Sequence, residues 1–422
     1  MKRRTFLGLA TGGTIAAVAG ATVLFRPGDE GKPYSRYFSD LNQLLKREGP
    51  GRPLMILDLD RMNHNIDVIK ASIEEPKSYR AVVKSLPSVD LLQHVMTRAG
   101  TRAMMVFHQP FLNEVARKFV DADALLGKPM PLAAAREFYR NYRDGPFRPE
   151  TQIQWLIDTP ERFHQYHQLA RELGISMRIN IELDVGLHRG GISEPQALAQ
   201  ILPLIQSDPT HLQFAGFMGY EAHLTGMAAR LDHASVQNVL ARYRGCIDYT
   251  RQNHAELFSD RLTFNGAGSH TFKIYEKDDT MNDLAAGSGV VKPTDFDTHH
   301  LQEHLPAVFI ATPVLKRYEG LVALGDHWSG PILEWWDPNR ARTYYIYGGY
   351  WKARYESPGG IPEWILLNST NQSMVNTSTS VNLEVDDYVF LRPTQSEAVM
   401  LQFGDLLVVS KGRIENWWKV FA

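Results

Sequence analysis

The sequence predicts an α/β protein in which a (β/α)8 barrel is followed by a C-terminal all-β domain, and three observations predict it. Short apolar runs with strand character alternate with segments of helical periodicity over about 250 residues after Pro53. This alternation is typical of a parallel sheet, and its length favours a closed barrel of eight strands. From about Pro306 the helical periodicity fades, and strand-like runs separated by Gly, Pro, Asn and Asp take its place.

The first 30 residues are set apart from the fold. A basic start that contains Arg3 and Arg4 leads into an uncharged run from Thr5 to Phe25, which is typical of a targeting segment. The arginine pair resembles a twin-arginine export signal, which implies a periplasmic protein or one on the outer face of the cytoplasmic membrane. An uncleaved anchor is the alternative, because the run of 21 residues is just long enough to span a bilayer.

The barrel region is predicted to span residues 34–304, and the C-terminal domain residues 305–422. The strand-like runs of the barrel region are Leu54–Asp58, Tyr79–Lys84, Ala103–Phe107, Gln152–Ile157, Met177–Leu183, Phe214–Met218 and Arg261–Asn265. Helical segments are predicted at Ser35–Arg47, Val89–Ala99, Asn113–Phe119, Pro160–Leu173, Glu194–Ile205 and Ala234–Asn253. The strand-like runs of the C-terminal domain are Ala307–Leu315, Gly320–Ala323, Arg342–Tyr347, Ile365–Leu367, Tyr388–Leu391 and Leu406–Val409.

The composition excludes several classes of protein. Charged residues make up 22% and apolar residues 44% of the 422 residues, which is the balance of a globular chain. Because the net charge of -2 shows no excess of either sign, no nucleic-acid partner is expected. The only cysteine, Cys246, excludes intrachain disulfides and a thiolate metal cluster, and its helical surroundings indicate a packed thiol.

Candidate chemistry lies where barrel strands end, because β/α barrels build their active sites at the carboxyl ends of their strands. Lys84 ends the apolar strand Ala81-Val-Val, where a buried ammonium is costly unless it is used or paired. A desolvated lysine is the nucleophile that Schiff-base chemistry requires. The alternative is a surface lysine just past the end of the strand.

Two further strand ends carry polar side chains. The glycine-flanked loop after Asp184 presents Arg189, whose guanidinium can donate to a phenolate or a carboxylate. Tyr220 and His223 follow the strand that ends in Gly219, and the alternative for these two is a core tyrosine and a satisfied histidine.

Two loops rich in glycine and hydroxyl groups follow the last barrel strands. The first contains Gly266, Gly268 and Ser269, and the second contains Gly287 and Ser288. Small residues let backbone N–H groups approach an anion closely, and barrels often bind phosphate after their last strands. The two loops therefore predict a phosphate site.

Taken in order, these motifs resemble those of one enzyme family. Ala-Val-Val-Lys84, Glu-x-Asp-x-Gly-x-x-Arg189, Gly-Phe-Met-Gly-Tyr220, Gly-x-Gly-Ser269 and Ala-Gly-Ser288 are similar to the motifs of fold-type III pyridoxal-phosphate enzymes. The D-serine dehydratase-like and D-threonine aldolase-like proteins, which share a TIM barrel with alanine racemases, resemble the chain most over residues 53–292. The resemblance implies pyridoxal 5′-phosphate as the cofactor and an amino acid as the substrate, and it is compatible with a homodimer.

The resemblance implies a role for each candidate residue. Lys84 binds the cofactor covalently and then serves as a base, Arg189 donates to the phenolic oxygen of the ring, and Tyr220 packs against the ring. The residues expected around the phosphate are Gly266, Gly268, Ser269, Gly287 and Ser288. His223 is expected near the cofactor, without an assigned role.

The resemblance breaks at a metal site. In the lyase branch of the family, a His and, two residues on, a Cys or Asp hold a metal in the C-terminal domain. Gln395 and Glu397 stand at these positions, and a glutamine oxygen is a poor ligand for zinc. We therefore expect the metal site to be lost or altered. The cluster of His299, His300 and His304 has no recognised zinc spacing, and it is expected in a solvated turn.

The resemblance favours a D-amino-acid lyase or deaminase of the D-threonine aldolase-like or D-serine dehydratase-like type. A chain that keeps Lys84 but loses the metal pair can still remove an α-proton. An amino-acid racemase is the second hypothesis, and it requires a base on each face of the cofactor ring. A non-catalytic protein that binds pyridoxal phosphate is the third.

Overall fold

The computed structural model describes residues 26–142, 145–322, 330–362 and 367–421. The chain divides into two compact units. One, here called the barrel unit, contains residues 55–308 and 393–422; the other, the sheet unit, contains the described part of residues 1–54 together with residues 309–392. The predicted targeting segment lies outside the described residues except for residues 26–30, as do parts of the predicted strands Gly320–Ala323 and Ile365–Leu367.

Strands and helices alternate through the barrel unit, and further strands belong to the sheet unit. The strands are β1 (Leu54–Asp58), β2 (Ser78–Val82), β3 (Ala103–Val106), β4 (Asp123–Leu126), β5 (Ile153–Ile157), β6 (Met177–Leu183), β7 (Leu212–Gly219), β8 (Thr263–Gly266), β9 (Asp283–Ala286), β10 (Val308–Glu319), β11 (Arg342–Tyr347), β12 (Ala353–Ser357), β13 (Gln372–Thr377), β14 (Tyr388–Pro393), β15 (Asp405–Ser410) and β16 (Arg413–Lys419).

The α-helices are α1 (Arg36–Glu48), α2 (Leu59–Ser72), α3 (Val89–Ala99), α4 (Gln109–Lys118), α5 (Leu132–Asn141), α6 (Pro149–Gln152), α7 (Pro160–Leu173), α8 (Leu202–Ser207), α9 (Ala234–Asn253), α10 (Gly330–Trp336) and α11 (Ser396–Met400). Short 3-10 turns lie at Val83–Ser85, Pro195–Gln200, Gly226–Ala228, Ala255–Leu257, Phe272–Tyr275, Ser288–Val290, Thr294–Phe296, His299–Leu301 and Pro338–Arg340. None of the helices in the described ranges has the length and apolar content needed to cross a bilayer.

Eight parallel strands, β2 to β9, close into a barrel, and this confirms the predicted fold class. Neighbouring strands pair in parallel around the barrel, and β9 returns to pair with β2. The sequence prediction differs at the start, because β1 pairs in parallel with β15 and stands outside the barrel. Strands β4 and β9, which the periodicity did not reveal, complete the eight.

Local sequence signals explain where the barrel helices begin and end. The side chain of Ser88 caps α3, which ends at Gly100 in the left-handed conformation (φ 73°) that glycine adopts without steric cost. In the same way, Thr159 caps α7 and Gly174 (φ 64°) ends it. Cys246 is buried in α9, and burial raises the pKa of its thiol to about 12, so this cysteine is a packed side chain.

The barrel interior contains a buried ion-pair network. The Arg80 guanidinium, 1% exposed, donates to both carboxylate oxygens of Asp283 at 2.7 and 2.9 Å and to Asp123 at 3.0 Å. Gln154 donates to Asp123, and Asn265 donates to Asp283. Each buried charge is therefore paired and hydrogen-bonded, which is the condition under which a protein interior tolerates it.

In the sheet unit, antiparallel strands form a second sheet. Strand β10 pairs with β14 and with β11, and β11 pairs with β13. Helix α1 packs on it through Phe38, whose ring lies 5.1 Å from that of Phe309 and 5.0 Å from that of Phe390. These aromatic contacts supply much of the apolar burial that holds the helix to the sheet.

The last thirty residues of the chain belong to the barrel unit. Strand β15 pairs in parallel with β1, and β16 folds back on β15 as an antiparallel neighbour. Phe421 packs against Phe111 of α4, with 4.4 Å between ring centroids. Residues that the sequence groups with the C-terminal domain thus pack on the barrel, while the predicted domain limits 34–304 and 305–422 stay a prediction.

Candidate functional site

A cavity of about 300 Å³ opens at the carboxyl ends of the barrel strands. Seven of the nine residues predicted for catalysis or cofactor binding line it together, and each lies in a loop that follows the end of a barrel strand. They are Lys84, Arg189, Tyr220, Gly268, Ser269, Gly287 and Ser288. All seven residues belong to the barrel unit.

Lys84 lies in the 3-10 turn that follows β2, with its side chain directed into the cavity. Its Nζ atom is 2.9 Å from Oε1 of Glu397 and 5.0 Å from the centre of the Phe107 ring. The Ser85 hydroxyl donates to the second oxygen of Glu397 at 3.3 Å. The amine is thus held at the cavity wall by one carboxylate and one aromatic ring, and 42% of the side chain is exposed.

Arg189 lies in the loop after β6 and contacts the next strand end. Its guanidinium stands 5.2 Å from the centre of the Tyr220 ring, which is a cation–π contact. Burial raises the pKa of the Tyr220 phenol, so this tyrosine is a neutral ring in the cavity wall. The carboxylate of Asp184, in the same loop, is bound instead by His188, whose Nδ1 lies 2.8 Å from Oδ2.

The two glycine–serine loops are joined to each other by hydrogen bonds. The Ser269 hydroxyl accepts from the backbone N–H groups of Gly287 at 3.1 Å and Gly289 at 2.9 Å. The Ser288 hydroxyl donates to the Ser85 hydroxyl at 3.1 Å, beside Lys84. A Cβ atom at Gly287 would lie 2.7 Å from the Cβ of Val82, so only glycine permits the loop to approach β2 this closely.

Two predicted site residues do not line the cavity. Gly266 is buried at the end of β8, where an added Cβ would lie 2.1 Å from the sulfur of Met281; its small size serves packing within the barrel. His223 lies beside Gly186 of the Arg189 loop rather than in the cavity lining.

The residues at the expected metal positions do line the cavity. Glu397 binds Lys84, and the Gln395 amide donates to Asp295 at 3.2 Å. Within the described ranges, no group of three or more His, Cys, Asp or Glu side chains is arranged to hold a metal ion. The expectation for His304 is wrong: it is 1% exposed rather than solvated, and its Nδ1 atom lies 2.8 Å from the Gly289 carbonyl oxygen.

Sequence reasoning did not single out several residues of the cavity wall, among them Asp295, His270 and Phe296. The rings of His270 and Phe296 stack with 4.3 Å between centroids, and burial lowers the pKa of His270, which keeps its ring neutral. The small glycine and serine residues around His270 drew attention to its loop, but no pattern marked the histidine itself.

Behind the Gly268 loop lies a fully buried carboxyl group. Glu221 is 0% exposed and accepts a hydrogen bond of 2.5 Å from the Thr271 hydroxyl, which in turn accepts from the backbone N–H of Gly268 at 3.0 Å. Burial raises the pKa of Glu221 to about 7, so at acidic pH the group is held in its neutral form.

The Glu221→Gln substitution is expected to remove a pH dependence of stability. From about pH 4.5 the unfolded chain releases this proton while the folded chain keeps it, so stability falls by up to about 3 kcal/mol as pH rises through 7. Glutamine cannot titrate, and the difference in unfolding free energy between variant and parent should therefore grow with pH.

Urea titrations of both proteins at several pH values measure that difference. Burial also raises the pKa of Glu182 to about 7, but this group is present in both proteins and cancels in the comparison. A difference that stays constant from pH 5 to 8 would contradict the assignment of a buried, neutral Glu221.

Comparison with known proteins adds a family and a set of similar folds. The family profile described as "Alanine racemase, N-terminal domain" matches residues 57–281. No curated protein matches the sequence.

Solved structures with similar folds come from several enzymes. D-threonine aldolase from Filomicrobium marinum has a TM-score of 0.65 at 15% identity, covering 88% of this chain and 97% of that one. D-threo-3-hydroxyaspartate dehydratase from Delftia sp. HT23 has a TM-score of 0.67 at 15% identity, with coverage of 88% and 97%. Alanine racemase from Bacillus anthracis has a TM-score of 0.66 at 14% identity, with coverage of 87% and 97%.

Proposed function

The chain belongs to the family defined by the alanine racemase N-terminal domain, and from this premise we propose that it is a pyridoxal-phosphate-dependent enzyme that acts on D-amino acids by a lyase or deaminase reaction. One observation carries the proposal: a cavity at the carboxyl ends of the barrel strands brings the Lys84 amine together with the two glycine–serine loops. Three structurally similar proteins are named as a D-threonine aldolase, a D-threo-3-hydroxyaspartate dehydratase and an alanine racemase, which supports an amino acid as substrate.

The donor groups of the cavity fit this cofactor. Lys84 offers a primary amine for the aldehyde. The loops that contain Gly268, Ser269, Gly287 and Ser288 line the same cavity and would hold a phosphate, for which the Ser269 hydroxyl, an acceptor within the loops, is a donor. Arg189 supplies a guanidinium to a ring oxygen, while Tyr220 offers an aromatic face. Glycine at position 268 matters because an added Cβ would lie 2.7 Å from the Tyr220 ring.

The chain's own residues prepare Lys84 for proton transfer. When bound, the cofactor supplies an electron sink for negative charge at the substrate α-carbon. Lys84 Nζ, which lines the same cavity, would accept the α-proton, or the proton of a β-hydroxyl group in a retro-aldol cleavage. Glu397 orients this atom from 2.9 Å, and the hydroxyl of Ser85 holds the other oxygen of the carboxylate. No step in this scheme requires a metal bound at positions 395 and 397.

Borohydride reduction of the purified, cofactor-loaded protein tests the proposal. We expect an absorbance band from a lysine-bound aldehyde that disappears on reduction, and peptide mapping should locate the label on Lys84. A label on another lysine, or no label at all, would refute the assignment of the site.

Product analysis then separates the remaining hypotheses. Release of a carbonyl product from D-threonine or D-serine, with or without added divalent metal, supports the lyase or deaminase. Inversion of one enantiomer without a carbonyl product favours an amino-acid racemase, and a labelled protein without turnover favours a non-catalytic carrier.

We further propose that the N-terminal segment directs export, so that the chain acts in the periplasm or on the outer face of the cytoplasmic membrane. The support is the Arg3-Arg4 pair ahead of the uncharged run. Cell fractionation with wild-type and Arg3→Lys/Arg4→Lys sequences tests the export.

A homodimer also stays a proposal, and sedimentation of the purified protein tests the subunit number.

A further inference from the structure

The cavity that holds Lys84 is lined by charged side chains of both signs. Four of its lining side chains carry a formal charge: the cations Lys84 and Arg189 and the carboxylates Asp295 and Glu397. His270, the remaining titratable group with a basic side chain, is neutral because burial lowers its pKa. The net charge that a substrate side chain meets in the cavity therefore depends on what the two cations bind.

The proposed function uses both cations. Lys84 is the attachment point, and Arg189 stands over the Tyr220 ring, where it can donate to the cofactor. Among the described residues that line the cavity, no other cation is left for a negatively charged substrate side chain. Among the residues that the structure describes, the two carboxylates accept side-chain hydrogen bonds from neutral groups besides Lys84: the Ser85 hydroxyl for Glu397 and the Gln395 amide for Asp295.

The two carboxylates differ in exposure. Glu397 is 27% exposed at its side chain and lies beside the Lys84 amine, whereas Asp295 is exposed. The stacked rings of His270 and Phe296 line the same cavity. A substrate side chain bound in this cavity thus shares it with two carboxylates and two neutral rings.

On this basis we propose that the site selects D-amino acids whose side chain ends in a cation, with Asp295 and Glu397 as the residues that set this preference. The inference rests on the proposed function and names its substrate class. A cationic end group gains a charge-assisted hydrogen bond, whereas a carboxylate end group meets like charge with no compensating donor.

A matched series of ligands tests the preference by binding rather than by turnover. D-lysine, D-norleucine and D-2-aminoadipate have side chains of similar length that end in a cation, a methyl group and an anion. Each is titrated into the cofactor-loaded protein, and the dissociation constant is read from the change in the cofactor's absorbance. We expect D-lysine to bind at least about tenfold more tightly than D-2-aminoadipate.

Two variants and a matched control assign the effect to named residues. Asp295→Asn and Glu397→Gln should each reduce the ratio of the two dissociation constants by about three- to tenfold. Asp121→Asn should leave the ratio unchanged, because Asp121 is exposed before β4, at the amino end of a barrel strand, and does not line the cavity.

Three results would overturn the inference: equal or tighter binding of D-2-aminoadipate, an unchanged ratio in both cavity variants, or a preference that appears only with added Mn²⁺ and is lost with a chelator. The last would mean that the carboxylates hold a metal. Borohydride labelling of the same sample keeps the two proposals separate. A sample labelled at Lys84 that shows no cation preference refutes only the substrate class, whereas an unlabelled sample refutes the proposed function and this inference with it.

Discussion

Replacing Lys84 with alanine is expected to abolish turnover of amino-acid substrates, with kcat/KM falling by at least about a thousandfold. The reason is that one atom, Nζ of Lys84, has two tasks in the proposed function: it anchors the cofactor and it moves the α-proton. No other lysine lines the described cavity. Steady-state assays with D-serine and D-threonine measure the loss, and the absorbance of the reconstituted protein reports cofactor attachment.

Two further variants show whether the amine or its charge is responsible. Lys84→Arg keeps a cation next to Glu397 but removes the nucleophilic amine, so it should lose as much activity as the alanine variant. Lys70→Ala, on the exposed face of α2, should retain full activity because Lys70 lies outside the cavity lining. Retention of more than a tenth of the turnover by Lys84→Ala would show that the catalytic amine lies elsewhere.

The Arg80→Met substitution is expected to lower the free energy of unfolding by about 3–5 kcal/mol. Methionine has a similar volume but cannot donate to Asp283, whose side chain is 5% exposed and cannot turn to water. The substitution also removes the donors to the carbonyl oxygens of Met104 and Asp123. The buried, unpaired carboxylate and the two lost hydrogen bonds both lower the free energy of unfolding. Urea unfolding measures the total loss.

A matched substitution and a double variant complete this test. Arg36→Met removes a guanidinium whose side chain is 96% exposed and 3.9 Å from Asp40, so little change is expected. Adding Asp283→Asn to Arg80→Met should restore part of the stability, because the uncompensated charge is gone while Asn265 keeps an acceptor. Equal effects of Arg80→Met and Arg36→Met would mean that the buried network does not stabilise the barrel.

The sequence predicted the barrel because six of its eight strands form runs that interrupt the helical periodicity. The other two, β4 and β9, each begin with an aspartate and leave only three apolar residues, which is too short a run to indicate a strand. Strand β1 has five residues, as β2 does, and its pairing with β15, some 350 positions away, leaves no local signal. Short-range patterns thus predict strands but do not specify which strand each will pair with.

The residues of the candidate site also fall into two groups: those that follow a barrel strand could be predicted from the sequence, and those that do not could not. The sequence predicts a shared site for Lys84, Arg189 and the glycine–serine loops because each of them follows a barrel strand, and a barrel brings the ends of its strands together. Glu397 carries no such mark, since α11 begins at Ser396 far from the barrel strands in sequence. The resemblance marked Glu397 only as the residue at a metal-ligand position whose metal was expected to be lost or altered, so its contact with the Lys84 amine was not predicted.

The pairing of β15 with β1 bears on how the protein is made. A ribosome that has released residues up to 392 has already produced Lys84 and both glycine–serine loops, yet Glu397 follows Lys84 by 313 positions. The carboxylate that contacts the amine is therefore synthesised only after all eight barrel strands. A chain cleaved before residue 393 lacks this carboxylate and the strands β15 and β16, even where the eight barrel strands are intact.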